Sequence, residues 1–195
     1  MKEADRKALD KYLASTAKLG TGPLAEAEKR KKEETLKKSL SEDLTSPGVF
    51  CHWLKEACKD RDGDALDETM LLGWILRRFD RESVKVLEEI SLENWVKTNN
   101  LEDMVELIER YGGEETVNVL ASMAIQRYPG HYLGEYDEHI TRKAVWSLHR
   151  LYKEKGNAEA LEKIRELSRC GDLMVERLAK YHLEKLGANE RPALE

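Results

Sequence analysis

Residues 140–151 read Ile140-Thr141-Arg142-Lys143-Ala144-Val145-Trp146-Ser147-Leu148-His149-Arg150-Leu151. Ile140, Ala144, Leu148 and Leu151 recur at steps of 4, 4 and 3. Those steps hold all four on one face of a 3.6-residue helix. The same steps recur twice: at Val117, Ala121, Ile125 and Tyr128, and at Val175, Ala179, Leu183 and Leu186. Each ladder carries a small Ala at its second rung, where a neighbouring helix axis can approach closely. The pattern predicts an all-α fold of stacked helical hairpins with no sheet, because no segment sustains a two-residue alternation.

Working outward, helices are expected over 2–19, 23–40, 48–60, 64–79, 81–91, 101–111, 114–128, 138–155, 157–169 and 172–186. Their ends carry the chemistry of helix ends. Pro23 suits a first helical position, Asn157 and Asp172 suit N-caps, and Gly156, Gly171 and Gly187 suit C-terminal stops. The helix at 23–40 is unusually polar, with Glu28–Lys32 and Glu33–Lys37 as i,i+4 pairs, and reads as projecting or partly docked. Ser46-Pro47-Gly48 suggests a boundary: an N-terminal helical extension or hairpin over 1–45, a helical-repeat body over 46–187 and a disordered tail over 188–195.

The 195 residues carry a formal charge of −5. Residues 1–45 hold 11 Lys/Arg against 9 Asp/Glu, so the rest of the chain carries the acidic excess. An acidic body argues against a phosphate backbone as main partner and fits a basic protein. Three cysteines without a CxxC spacing build no disulfide framework, and no run approaches 18 apolar residues. The charged start, Met1-Lys2-Glu3-Ala4-Asp5, lacks an apolar signal region, so cytoplasmic placement is the expectation.

The hairpin pairing of Leu161, Ile164 and Leu167 with Val175, Ala179, Leu183 and Leu186 resembles HEAT-like helical repeats. Leu101, Met104 and Leu107 with Val117, Ala121 and Ile125 resemble a second copy, and Ile140–Leu151 a lone second helix, so the likeness runs over residues 101–187. The resemblance implies a right-handed α-solenoid used as a binding scaffold, most often for protein.

Candidate chemistry is sparse. Asp60-Arg61-Asp62-Gly63-Asp64 begins like a calcium loop but has Ala65 and Leu71 where Gly and a bidentate Glu are needed. A capping turn is the simpler reading. Tyr128-Pro129-Gly130-His131-Tyr132-Leu133-Gly134-Glu135-Tyr136-Asp137-Glu138-His139 concentrates aromatics, imidazoles and acids in one connector. Connectors held by a rigid scaffold are where recognition concentrates. Tyr128, His131, Tyr132, Tyr136, Asp137, Glu138 and His139 are therefore the candidate partner-binding residues. Trp95 joins them as the tryptophan expected to be partly exposed. The competing reading makes Tyr128 and Leu133 a packing plug. Trp53, Trp74 and Trp146 are assigned to core or seam packing. His149 and His182, each one residue from a core rung, read as interface or core-edge residues.

Neither a metal nor a cofactor is expected: phosphate loop, GxSxG, HExxH and Glu-x-x-His are all missing from the sequence. The expectation is a non-enzymatic protein-binding module, of the inhibitor or immunity type that neutralises a basic toxin or nuclease. An assembly adaptor is the alternative. HEAT-like folds also resemble a family of alkylated-base DNA glycosylases, which need a cationic face with an aromatic and an Asp; the acidic body disfavours that reading.

Overall fold

Carboxylate and amide side chains open several of the described helices. Asp62 accepts from the backbone N–H of Ala65 at 2.9 Å, Asn157 from Ala160 at 3.1 Å, and Asp172 from Met174 and Val175 at 3.0 and 3.2 Å. Each satisfies a first-turn N–H that has no partner inside its own helix. Asp62 therefore works as a cap, as the failed calcium pattern suggested. Gly156 and Gly171, at φ 68° and 88°, take the left-handed conformation that ends a helix without a Cβ clash.

The computed structural model describes residues 2–41, 48–93, 95–96, 101–128 and 138–187. Among them lie ten helices and no strand: α1 (Glu3–Thr16), α2 (Pro23–Ser39), α3 (Val49–Asp60), α4 (Gly63–Leu76), α5 (Arg81–Ile90), α6 (Leu101–Tyr111), α7 (Thr116–Ile125), α8 (Glu138–Lys155), α9 (Ala158–Leu167) and α10 (Leu173–Lys185). None of the described helices is long and apolar enough to cross a membrane. The chain divides into two compact units, Met1–Ser83 and Val84–Glu195, so the division falls in the first turn of α5.

In the first unit, α1 and α2 form a hairpin around Leu9, Tyr12 and Leu36, each at most 5% exposed. Asp5 is fully buried and accepts from Ser41 N–H at 2.6 Å and Ser41 Oγ at 2.7 Å, joining the two ends of the hairpin. Arg6 Nε donates to Glu68 at 2.9 Å and ties α1 to α4. The sequence places a boundary near residue 46, whereas the first compact unit groups this hairpin with α3 and α4 and runs on to Ser83. Leu36 is the buried residue of the polar α2, and Leu24 is 89% exposed. Under α4, Gly73 faces the edge-to-face pair of Phe50 and Phe79, whose ring centroids are 5.2 Å apart.

In the second unit, α8 packs against α6, α7, α9 and α10. Its ladder of Ile140, Ala144, Leu148 and Leu151 is at most 5% exposed, and in α10 Val175, Ala179 and Leu183 are at most 7% exposed. The first ladder is different. Val117 is buried, but Ala121 is half-buried and Ile125 is 46% exposed, while Leu120, Met123 and Ala124 are fully buried. α7 is apolar on two faces, and α8 selects one of them: Thr141 Oγ1 donates to the Ala124 carbonyl at 2.9 Å. α7 also ends at Ile125, with Gln126 extended (ψ 139°), so Tyr128 is not a rung of that helix. Ala121 and Ile125 instead line a small groove of about 230 Å³ shared with Lys163 and Leu167 of α9.

Candidate functional site

Position 146 lies two residues, about 200° of helical rotation, past the Ala144 rung, so the packing that buries Ala144 turns Trp146 outward. Position 181 stands in the same relation to Ala179. Trp146 is 47% exposed and Tyr181 50% exposed. Beneath them, His149 and His182 are only 5% and 3% exposed, with Nδ1 atoms 3.2 Å apart. One imidazole donates its Nδ1–H and the other accepts through an unprotonated Nδ1, so the accepting ring is neutral. Burial lowers the His149 pKa, aided by Lys153. Burial, with His149 close by, pushes His182 down to about 4.

The aromatic surface rests on this pair. The Trp146 indole stacks on His149, with centroids 5.3 Å apart and planes 3° from parallel, and meets His182 edge-on at 5.3 Å. Tyr181 also meets His182 edge-on at 5.2 Å, and the Lys185 ammonium sits 5.5 Å from the Tyr181 centroid. α8 is held firmly from behind. Ser147 Oγ donates to the buried Glu109 carboxylate at 2.6 Å, Arg150 pairs with the same oxygen, and Lys155 caps the Glu109 carbonyl at 3.0 Å. At the N-terminal end of the face, Glu138 accepts from Arg142 at 2.7 Å and lies 3.7 Å from Arg177. Arg142 above all, with Arg177, holds the Glu138 carboxyl below its usual range.

Of the expected site residues, Glu138 joins this face, half-buried, and the neighbouring His139 is exposed. Tyr128 is 3% exposed and its hydroxyl donates to the Ser91 carbonyl at 3.0 Å. Trp95 is half-buried. His131, Tyr132, Tyr136 and Asp137 lie outside the described residues. Trp146, assigned from sequence to core or seam packing, is exposed. The signal was present in its offset from Ala144, shared with Tyr181 and Ala179. His149 and His182 are brought together from positions 33 residues apart.

Elsewhere, an open crevice of about 640 Å³ in the first unit is lined by apolar side chains including Leu13, Ala17, Leu71 and Ile75. Thr16, Glu26 and Lys29 also line it, and the Tyr12 hydroxyl at its wall is buried without a hydrogen-bond partner. Among the described residues, no group of three or more His, Cys, Asp or Glu could hold a metal ion. No protein family, curated protein or solved structure matches this chain.

Proposed function

We propose that the second unit is a stack of HEAT-like hairpins acting as a non-enzymatic protein-binding module, of the inhibitor type, with the α8–α10 face as its contact surface. The observation that carries this reading is the pair Trp146 and Tyr181, each about half exposed and seated on the same buried imidazoles. Tryptophan and tyrosine are the anchors that protein interfaces favour. Their rings are already immobilised, which lowers the ordering cost of binding. An assembly adaptor would use the same face. The second reading, a HEAT-like DNA-repair glycosylase, draws support from Arg142 and Arg177 beside the aromatics; retardation of duplex DNA at low salt is its test.

The experiment is site-specific photo-crosslinking in the native host from position 181, with position 31 on the exposed side of α2 as control. A single protein crosslinked from 181, absent from 31 and lost on Trp146→Ala, is expected. Equal capture from both positions, or capture indifferent to Trp146, overturns the reading.

A further inference from the structure

The chain as a whole is acidic, yet the binding face is not. On α8 and α10, Lys180 pairs with Glu176 at 2.9 Å. Toward the helix C-termini, the exposed Lys153 and Lys185 balance the exposed Glu154 and Glu184. At the other end, Arg142 and Arg177 share one carboxylate, Glu138. Among the described residues one carboxylate faces these two guanidiniums, so the described part of the face carries one positive charge in excess beside Trp146 and Tyr181. Both guanidiniums can be reached, because the Arg142 and Arg177 side chains are 56% and 71% exposed. At physiological ionic strength, charges farther off than about 8 Å are largely screened, so a bound segment senses this local excess rather than the charge of the whole chain.

The apolar contacts have a spacing. Leu173, 84% exposed, Arg177 and Tyr181 follow one another at i, i+4 and i+8 along one side of α10. Eight residues of helix span about 12 Å. Four residues of extended chain span about 13 Å, and their alternate side chains point the same way.

We propose, resting on the reading of α8–α10 as a binding face, that its partner is a protein segment in extended form with the pattern apolar-x-acid-x-aromatic. The aromatic seats against Trp146 and Tyr181, the apolar residue against Leu173, and the carboxylate between them on Arg177 and Arg142. A guanidinium fork matches a carboxylate bidentately, so this contact sets direction as well as charge preference.

The test uses the full chain and short fluorescent peptides, followed by anisotropy. One peptide repeats Leu-Ser-Glu-Ser-Phe, a second carries Lys in place of each Glu, and a single-stranded thymidine oligonucleotide is the third probe. The acidic peptide is expected to bind best. Its binding should weaken with salt, fall about tenfold in the variant carrying Arg142→Glu and Arg177→Glu, and be lost on Trp146→Ala. Circular dichroism checks that each variant remains helical, and Arg177→Gln serves if the double reversal does not fold. If the lysine peptide or the oligonucleotide binds better, and does so through Trp146, the partner chemistry proposed here is wrong while the face stands. If no probe shows binding sensitive to both Trp146→Ala and Tyr181→Ala, the face itself is overturned.

Discussion

Acid should destabilise the second unit through His182 before it protonates most carboxylates. In the unfolded chain this imidazole takes up a proton as pH falls below its ordinary value of 6.5; in the fold it does so only near 4. Between those values the unfolded state binds more protons, so stability rises with pH across the window. It is complete above 6.5, falls as pH drops, and levels off below about 4. Each unit of separation corresponds to about 1.4 kcal/mol, so the full effect approaches about 3 kcal/mol, with about 2 kcal/mol of it lost by pH 5. The ring is 3% exposed, so solvent screening takes little from this figure. The cause is physical: a protonated His182 would be a buried charge, and protonating the pair removes the acceptor of its Nδ1–H···Nδ1 bond. The assay is urea unfolding at steps from pH 7.5 to 4.5, with hydrogen exchange of the α8 and α10 amides to localise the loss. His182→Gln keeps a neutral hydrogen-bonding side chain that does not titrate, so it should make the dependence between pH 6.5 and 5 shallower, with His149 supplying the slope that remains. Identical pH slopes in the wild type and the variant would refute the argument.

Three other perturbations have defined outcomes. Gly73→Ala places a Cβ 2.4 Å from Phe50 Cζ and 2.7 Å from Phe79 Cζ; the overpacking, about 1–3 kcal/mol, should outweigh the roughly 1 kcal/mol gained in helix propensity and lower the Tm. Glu109→Ala leaves Ser147 and the Arg150 guanidinium without their shared acceptor; with Arg150 about one-third exposed, a loss of about 2 kcal/mol in urea unfolding is expected. Tyr128→Phe removes the hydrogen bond to Ser91 and should cost about 1 kcal/mol in the same assay while leaving peptide anisotropy unchanged; a change in peptide affinity would return Tyr128 to the contact surface.

The helices were legible because their signals are local. Asn157 and Asp172 cap where an amide or carboxylate precedes an apolar ladder, and Gly156 and Gly171 stop helices by adopting a conformation that costs other residues energy. α8 and α10 carry one apolar stripe each, so their buried faces could be read without a partner. α7 could not be read this way. Its sequence, Thr-Val-Asn-Val-Leu-Ala-Ser-Met-Ala-Ile, is apolar on two sides, and either Ala121 or Ala124 could have met a neighbour. The candidate site was less legible. Composition is conspicuous in the aromatic connector. Its Tyr128 is buried, while the exposed Trp146 carries a local pattern that resembles a core residue, because a large apolar side chain on a helix usually packs inward.

Taken alone, the amino-acid order determined which segments are helical, where the capped ends at Asn157, Asp172, Gly156 and Gly171 fall, and which stripe of α8 and α10 is buried, since periodicity and capping act over a few residues. Tertiary structure decided which face of α7 meets α8, that Asp5, Glu68 and Glu109 hold partners from distant positions, and that two histidines meet beneath Trp146 and Tyr181. Those outcomes depend on how one helix lies against another, and contacts between residues tens of positions apart leave no periodic trace in the chain.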